Sequence, residues 1–228
     1  MKKVGLIFAL EEELEETKKI FDNTKVHSIY NLKIYECKND KTICFLVVSG
    51  MGKVNAARTT QVLIDFMNVD YILNVGVAGS ISRNVKKCDI VIGNKLVQHD
   101  FDITSVNYEK GVIPNIGKYV YCDEELVKIA KTIKINTNII FGVISSGDIF
   151  ISDEKMGEKI NEKFDALCVE MEGAAISQVC HLCNIPFLVI RAISDSAYEK
   201  DNHLSFEEFL EISSQRAAKF IEEFIDKI

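Results

Sequence analysis

Acidic side chains stand where short apolar runs of this chain give out. Glu11-Glu12-Glu13 follows the run at 4–10, Glu170-Met171-Glu172 follows 166–169, and Ser194-Asp195 follows 187–193, a run that also contains Arg191. Small-residue segments end other runs: Gly50-Met51-Gly52, Gly76-Val77-Ala78-Gly79 and Gly147-Asp148-Ile149-Phe150. If the runs are strands of an α/β sheet, these segments gather along its carboxyl edge, where ligands bind in such folds. Carboxylates converging there could donate and accept protons around a small molecule. Each feature also has a plainer reading. The glutamates among residues 11–16 could form a solvated first helical turn, favoured by the helix dipole. Arg191 and Asp195 could be a structural ion pair. Glu170 and Glu172 resist such a reading, because carboxylates between an apolar strand and an apolar helix are rarely buried without a partner or a task.

Other chemistries find little support. Gly50-Met51-Gly52-Lys53 resembles the end of a Walker loop but lacks the upstream glycine and the following Ser or Thr. No Gly-x-Gly-x-x-Gly fingerprint follows a strand, so no nucleotide cofactor is expected. His27, His99, His181 and His203 are scattered, and Cys180-His181-Leu182-Cys183 has no second ligand pair, so no metal is expected. That segment reads as a helix interior, with Ala174, Ala175, Val179 and Leu182 on an apolar face.

The elements that must position these residues follow from the alternation of apolar runs and amphipathic stretches. Strands are expected at 4–10, 32–38, 42–49, 71–77, 89–98, 139–145, 166–169 and 187–193. Helices are expected at 11–21, 53–68, 123–132, 154–164, 174–184 and 205–228, the last capped by Ser205 with Glu208 three residues on. Residues 101–118, with Gly111, Pro114 and Gly117, read as a long irregular loop, and loops of that length usually serve function. Strands separated by helices give an α/β fold, one domain over residues 1–228, with a mostly parallel mixed central sheet flanked by helices.

Composition bounds the partners. The 228 residues are 47% hydrophobic and 27% charged, enough for a core that needs no disulfide or metal staple. A net charge of -7 argues against nonspecific binding to nucleic acid or to an anionic membrane. No apolar run approaches the roughly 20 residues needed to span a bilayer. The short run after Met1-Lys2-Lys3 meets glutamates where a signal cleavage site would stand. Seven cysteines, odd in number and mostly in apolar segments, suit a reducing cytoplasm.

Taken together, the segments resemble the 5'-methylthioadenosine/S-adenosylhomocysteine nucleosidase family of the nucleoside phosphorylase superfamily. The resemblance rests on Gly5-Leu6-Ile7-Phe8-Ala9-Leu10-Glu11-Glu12-Glu13, Ser49-Gly50-Met51-Gly52-Lys53-Val54-Asn55-Ala56-Ala57 and Asn74-Val75-Gly76-Val77-Ala78-Gly79. It continues through Ser146-Gly147-Asp148-Ile149-Phe150-Ile151, Val169-Glu170-Met171-Glu172-Gly173-Ala174-Ala175, Arg191-Ala192-Ile193-Ser194-Asp195 and His203-Leu204-Ser205-Phe206. Seven segments in this order are specific where any one alone is weak.

The resemblance implies a nucleoside phosphorylase-like fold and hydrolysis of the N-glycosidic bond of an adenine thionucleoside, without cofactor or metal. It implies that Asp195 protonates adenine at N7, oriented by Ser194, with a proton held near neutrality. Glu13 would activate water, helped by Arg191. Glu172 would hold the ribose hydroxyls, with Met171 packed on the sugar. Phe150 would stack on adenine and Ile151 would offer main-chain hydrogen bonds to its edge. Met51 and Phe206 would line the sugar and 5' region, and Val77, Ala78 and Gly79 the strand end beside it. A homodimer in which loop 101–118 reaches the partner's pocket is also implied.

Two departures bear on the 5' substituent. Val77 replaces a common serine, leaving only its main-chain N–H, and Val106 stands where an aromatic is common. Three alternatives remain open. One is a phosphorylase, disfavoured by Asn74 in place of an arginine and by the acidic first loop. Another is a nucleosidase for aminodeoxyfutalosine or 5'-deoxyadenosine. The third is a catalytically silent nucleoside-binding protein, which would not need Glu13, Glu172 and Asp195 together.

Overall fold

Ten strands and six α-helices are described in a computed structural model covering residues 1–22, 24–39, 41–198 and 202–228, the side chains of 202–208 excepted. The strands are β1 (Lys2–Phe8), β2 (Thr24–Ile29), β3 (Leu32–Lys38), β4 (Thr42–Val48), β5 (Tyr71–Ser80), β6 (Ile90–Gln98), β7 (Val120–Tyr121), β8 (Ile139–Ser146), β9 (Ala166–Glu170) and β10 (Phe187–Ser196). The helices are α1 (Glu11–Lys18), α2 (Lys53–Val62), α3 (Glu124–Ala130), α4 (Glu154–Phe164), α5 (Gly173–Cys183) and α6 (Asn202–Ile225). All strands join one mixed sheet in the order β10-β6-β8-β9-β5-β1-β4-β3-β2, with β7 beside β6. A further parallel pairing of β10 with β5 closes β5, β9, β8, β6 and β10 into a ring, from which β1, β4, β3 and β2 extend as a wing.

The expected α/β fold with helices about a central sheet is what the chain adopts. Every residue of β10 is buried, as are the last five of β1, because both strands have neighbours on each edge and helices against their faces. Helix starts follow local chemistry: Asp123 accepts from the N–H groups of Glu125 and Leu126 to begin α3, and Asp153 accepts from Met156 N–H to begin α4. Left-handed residues Asp165 and Asn184 end α4 and α5. A smaller core cluster beneath α4 includes Ile81, Val97, Ile151, Phe164 and Val169. It anchors the segment after β8 from below.

Several boundaries differ from expectation. β2 follows α1 unannounced, since its residues are exposed or half-exposed and show no alternation. The second helix changes to a π-helical turn at Leu63–Met67 and ends on left-handed Asn68. Loop 101–118 contains a 3-10 turn at Thr104–Val106. Leu182 is 61% exposed, so it leaves the apolar face expected of α5. Ser205 falls inside α6 rather than before it, and its side chain and that of Glu208 lie outside the described residues. Above all, β5 and β10 run past the apolar residues, to Ser80 and Ser196, and carry Ala78, Gly79, Ser194 and Asp195 within the sheet.

Candidate active site

Helix α1 splits the glutamate cluster. Leu10 is its N-cap, so Glu13 is the third helical residue and can fold back over the helix start. Its Oε2 accepts from the N–H groups of Ala9 (2.9 Å) and Leu10 (3.0 Å), and its Oε1 accepts from Val77 N–H on β5 (2.9 Å). Glu11 and Glu12 are exposed, as the solvated-turn reading has it, whereas Glu13 is buried. Burial pushes the Glu13 carboxyl upward despite these donors and nearby Arg191. Val77 N–H, expected to remain for a ligand, is therefore taken by Glu13.

Asp195 reaches the same region through a change of register. β10 pairs Ile193 with Ala78 and then Asp195 with Gly79, so Ser194 is the extra residue of a bulge. Bulges re-aim side chains, and this one sets Asp195 against Gly79. Ser194 Oγ donates to Asp195 Oδ1 at 2.7 Å. Neither Gly76 nor Gly79 has a positive φ; what each supplies is space. A Cβ at Gly76 would sit 2.7 Å from Glu13 Oε1, and one at Gly79 would sit 2.8 Å from Asp195 Oδ2.

Glu172 is the N-cap residue of α5. Its Oε1 accepts from Gly52 N–H at 2.8 Å and its Oε2 from Met171 N–H at 3.3 Å. Burial and the neighbouring carboxylates Glu170 and Glu13 push it up to about 7, against the pull of Arg191 and Gly52 N–H.

Glu170, to which the sequence assigns no role, organises this corner. Its Oε2 accepts from the N–H groups of Glu172 (3.0 Å) and Gly173 (2.7 Å) and from Arg191 Nη2 (2.5 Å). Ser146 Oγ donates to its other oxygen and accepts from Ala174 N–H at 2.7 Å. The first N–H groups of α5 are thus held by an anion, as a helix N-terminus favours. Arg191 is 1% exposed and donates to Glu170, Asn74 and the carbonyl of Ile190, while its Nε has no partner among the described residues. Two expectations change. The ion pair of Arg191 is with Glu170, not Asp195, and Arg191 stands behind the site wall with no direct bond to Glu13. Asn74 is buried between Arg191 and Ile7 O.

These pieces border a cleft of about 610 Å³, its open mouth included. Glu13, Met51, Val77, Ala78, Gly79, Phe150, Ile151, Met171, Glu172, Ser194 and Asp195 line it, so the structure brings these predicted residues together. Ala9, Leu10, Ile149, Val169 and Glu170 complete the wall. Phe150 is 44% and Met51 62% exposed at the mouth, while Ile151 is buried. Arg191 does not reach the surface of the cleft, and the side chain of Phe206 lies outside the described residues. No group of three His, Cys, Asp or Glu side chains that could hold a metal occurs among the described residues.

A cleft with buried carboxylates on three elements, and a half-exposed aromatic at its mouth, suits proton transfer on a flat, partly polar molecule. The Phosphorylase superfamily model matches residues 3–226. A 5'-methylthioadenosine/S-adenosylhomocysteine nucleosidase of Glaesserella parasuis is 38% identical over 222 residues, 96% of each chain. The chain belongs to this nucleosidase family. Solved structures of family members superimpose closely. A Helicobacter pylori nucleosidase in complex with a pyrrolidin-3-ol compound has TM-score 0.96 and 30% identity, covering 100% of this chain and 99% of its own. A Borrelia burgdorferi protein described as a putative nucleosidase and bound to adenine has TM-score 0.94 and 38% identity, covering 99% and 100%. A futalosine hydrolase of Helicobacter pylori also matches at TM-score 0.96 and 30% identity, covering 100% and 98%.

Proposed function

We propose that this protein hydrolyses the N-glycosidic bond of 5'-methylthioadenosine and S-adenosylhomocysteine, releasing adenine and the 5-thioribose product. The observation that carries this reading is the convergence of Glu13, Glu172 and Asp195 on one cleft, from α1, the start of α5 and β10. Adenine anion is a poor leaving group, and the ribose carbon turns cationic as the bond lengthens. Asp195 gives its proton to adenine N7, and the electrons of the C1'–N9 bond leave with the base. Water attacks C1' from the opposite face and passes a proton to Glu13, whose upward-shifted carboxylate is the stronger base for it. The logic parallels two-carboxylate glycoside hydrolysis.

Glu172 accepts hydrogen bonds from the ribose hydroxyls, Met171 and Met51 pack on the sugar side, and Phe150 stacks on adenine with Ile151 at the base edge. Val77, Ala78 and Gly79 form the strand floor. Arg191 works from behind the wall, where it neutralises Glu170. Ser194 fixes Asp195 through the bond described above.

We further propose a cytoplasmic homodimer. Seven free cysteines, five of them buried, fit a reducing compartment. Val54 and Val106, 79% and 61% exposed, suit burial against a second copy. Sedimentation of the purified protein reads its assembly.

Purified protein should release free adenine from methylthioadenosine in phosphate-free buffer. Strict dependence on phosphate, with a ribose-1-phosphate product, would overturn the reading. Parallel rates with S-adenosylhomocysteine, 5'-deoxyadenosine and aminodeoxyfutalosine rank the 5' substituent.

A further inference from the structure

Lys53, left over from a phosphate motif that fails, has a definite place. Its ammonium lies 2.7 Å from Asp100 Oδ1 and 3.1 Å from Gln98 Oε1, at the end of β6. The other oxygen of Asp100 accepts from Asp148 N–H at 3.0 Å. Asp148 closes the ring, its Oδ1 accepting from Lys53 N–H at 2.9 Å. The pair is substantially sheltered, with each side chain 18% exposed. Three segments are fastened together by this ring. One carries Met51 and Gly52, the donor to Glu172. Another carries Ile149 and Phe150. The third leads from β6 into loop 101–118.

None of the three ring residues lines the cleft, yet two of the segments they fasten do, one through Met51 and the other through Ile149 and Phe150. Met51 and Phe150 stand at the half-exposed mouth of the cleft. We propose that Asp100, through Lys53 and Asp148, is a positioning residue that sets the spacing between the sugar wall and the adenine wall. The ring is a cross-brace: it binds no substrate atom but fixes two surfaces that must engage one molecule together. A ligand touching both walls depends on that spacing, whereas one touching the adenine wall alone does not.

This inference rests on the nucleosidase reading above. Its test is Asp100→Asn and, separately, Lys53→Met, each compared with wild type for methylthioadenosine turnover, adenine affinity by calorimetry and thermal midpoint. Wild-type turnover tests the nucleosidase reading itself, and only the variant-to-wild-type ratios test the brace. The expected result is a rise in KM of about tenfold in both variants, a smaller fall in kcat, and adenine affinity unchanged within about twofold. The double variant should be no worse than the more damaging single one, since either change opens the same ring. Wild-type KM in both variants overturns the proposal. So does loss of adenine affinity in step with methylthioadenosine, or failure of both variants to fold, because either assigns the ring to stability rather than spacing.

Discussion

Replacing Glu172 by Gln keeps the size of the side chain and an oxygen for Gly52 N–H, but removes a carboxyl whose buried setting raises it to about 7 from an ordinary 4.5. Below 4.5 this group is protonated both folded and unfolded, so folding neither takes up nor releases a proton there. Between 4.5 and about 7 the folded protein keeps the proton while the unfolded chain gives it up, so stability falls as pH rises. At about 1.4 kcal/mol per pH unit, the loss approaches 3 kcal/mol once pH passes the upper value. The Gln variant escapes this loss. Relative to wild type, it should gain about 3 kcal/mol between pH 4.5 and pH 8, or roughly 6–12 °C in melting temperature for a chain of this length. Glu13 is also shifted upward, but it is present in both proteins and largely cancels in the difference. Urea unfolding of the two proteins across that range measures the effect. A stability difference that stays flat with pH would refute the argument that Glu172 carries a proton in the empty site. Turnover should move the opposite way: the variant, better folded at pH 8, should bind nucleoside less well because a carboxylate acceptor for the ribose hydroxyls is gone.

Three further outcomes follow from the same geometry. Asp195→Asn should lower kcat by about 10²–10⁴ while leaving nucleoside binding measurable by calorimetry, and wild-type turnover would remove Asp195 from the acid role. Gly79→Ala places a methyl group 2.8 Å from Asp195 Oδ2, so kcat should fall at least about tenfold with a loss of only about 1 kcal/mol in stability; equal kcat would show that the carboxylate has room to move. Glu170→Gln leaves the Arg191 guanidinium buried without its counter-charge and should cost about 3–5 kcal/mol on chemical denaturation, against less than about 1 kcal/mol for a pair that were merely superficial.

What the sequence made legible depended on whether apolar residues marked it. The bounds expected from the sequence for 32–38 and 154–164 are those that β3 and α4 take, because apolar periodicity runs through each. β2 escaped because little of it is buried, so nothing apolar announces a strand. β5 and β10 run past the ends that the sequence suggests, for the opposite reason. Gly79, Ser194 and Asp195 look like loop residues, and only the neighbouring strands and the bulge at Ser194 reveal that they are sheet. Most of the cleft was identified through resemblance, but its internal wiring was not. A carboxylate at the end of an apolar strand, followed at once by a helix start, was the available signal for Glu170 as an N-terminal anchor. Its link to Arg191 joins residues 21 apart in sequence, and no local pattern encodes such a pair. The same holds for Lys53 and Asp100, 47 residues apart.

The charge arrangement also separates the competing nucleophiles. Glu13, Glu170, Glu172 and Asp195 all border the cleft, and the buried cation behind them, Arg191, is paired with Glu170. Glu13, Glu172 and Asp195 therefore share a sheltered space whose wall, among the described residues, holds no lysine or arginine. In surroundings drier than water like charges repel strongly: burial first, and then the carboxylates of Glu170 and Glu13, push Glu172 up, while burial pushes Glu13 up. A neutral nucleoside relieves little of it. A ribose carbon turning cationic relieves much more, and does so only as the bond breaks, so the stabilisation falls on the transition state rather than on the bound substrate. An attacking phosphate would bring further negative charge into the same space and weaken the gain. Water brings none, and the proton it gives up neutralises Glu13. The acidity that makes the empty cleft costly to ionise is thus what makes it selective for hydrolysis.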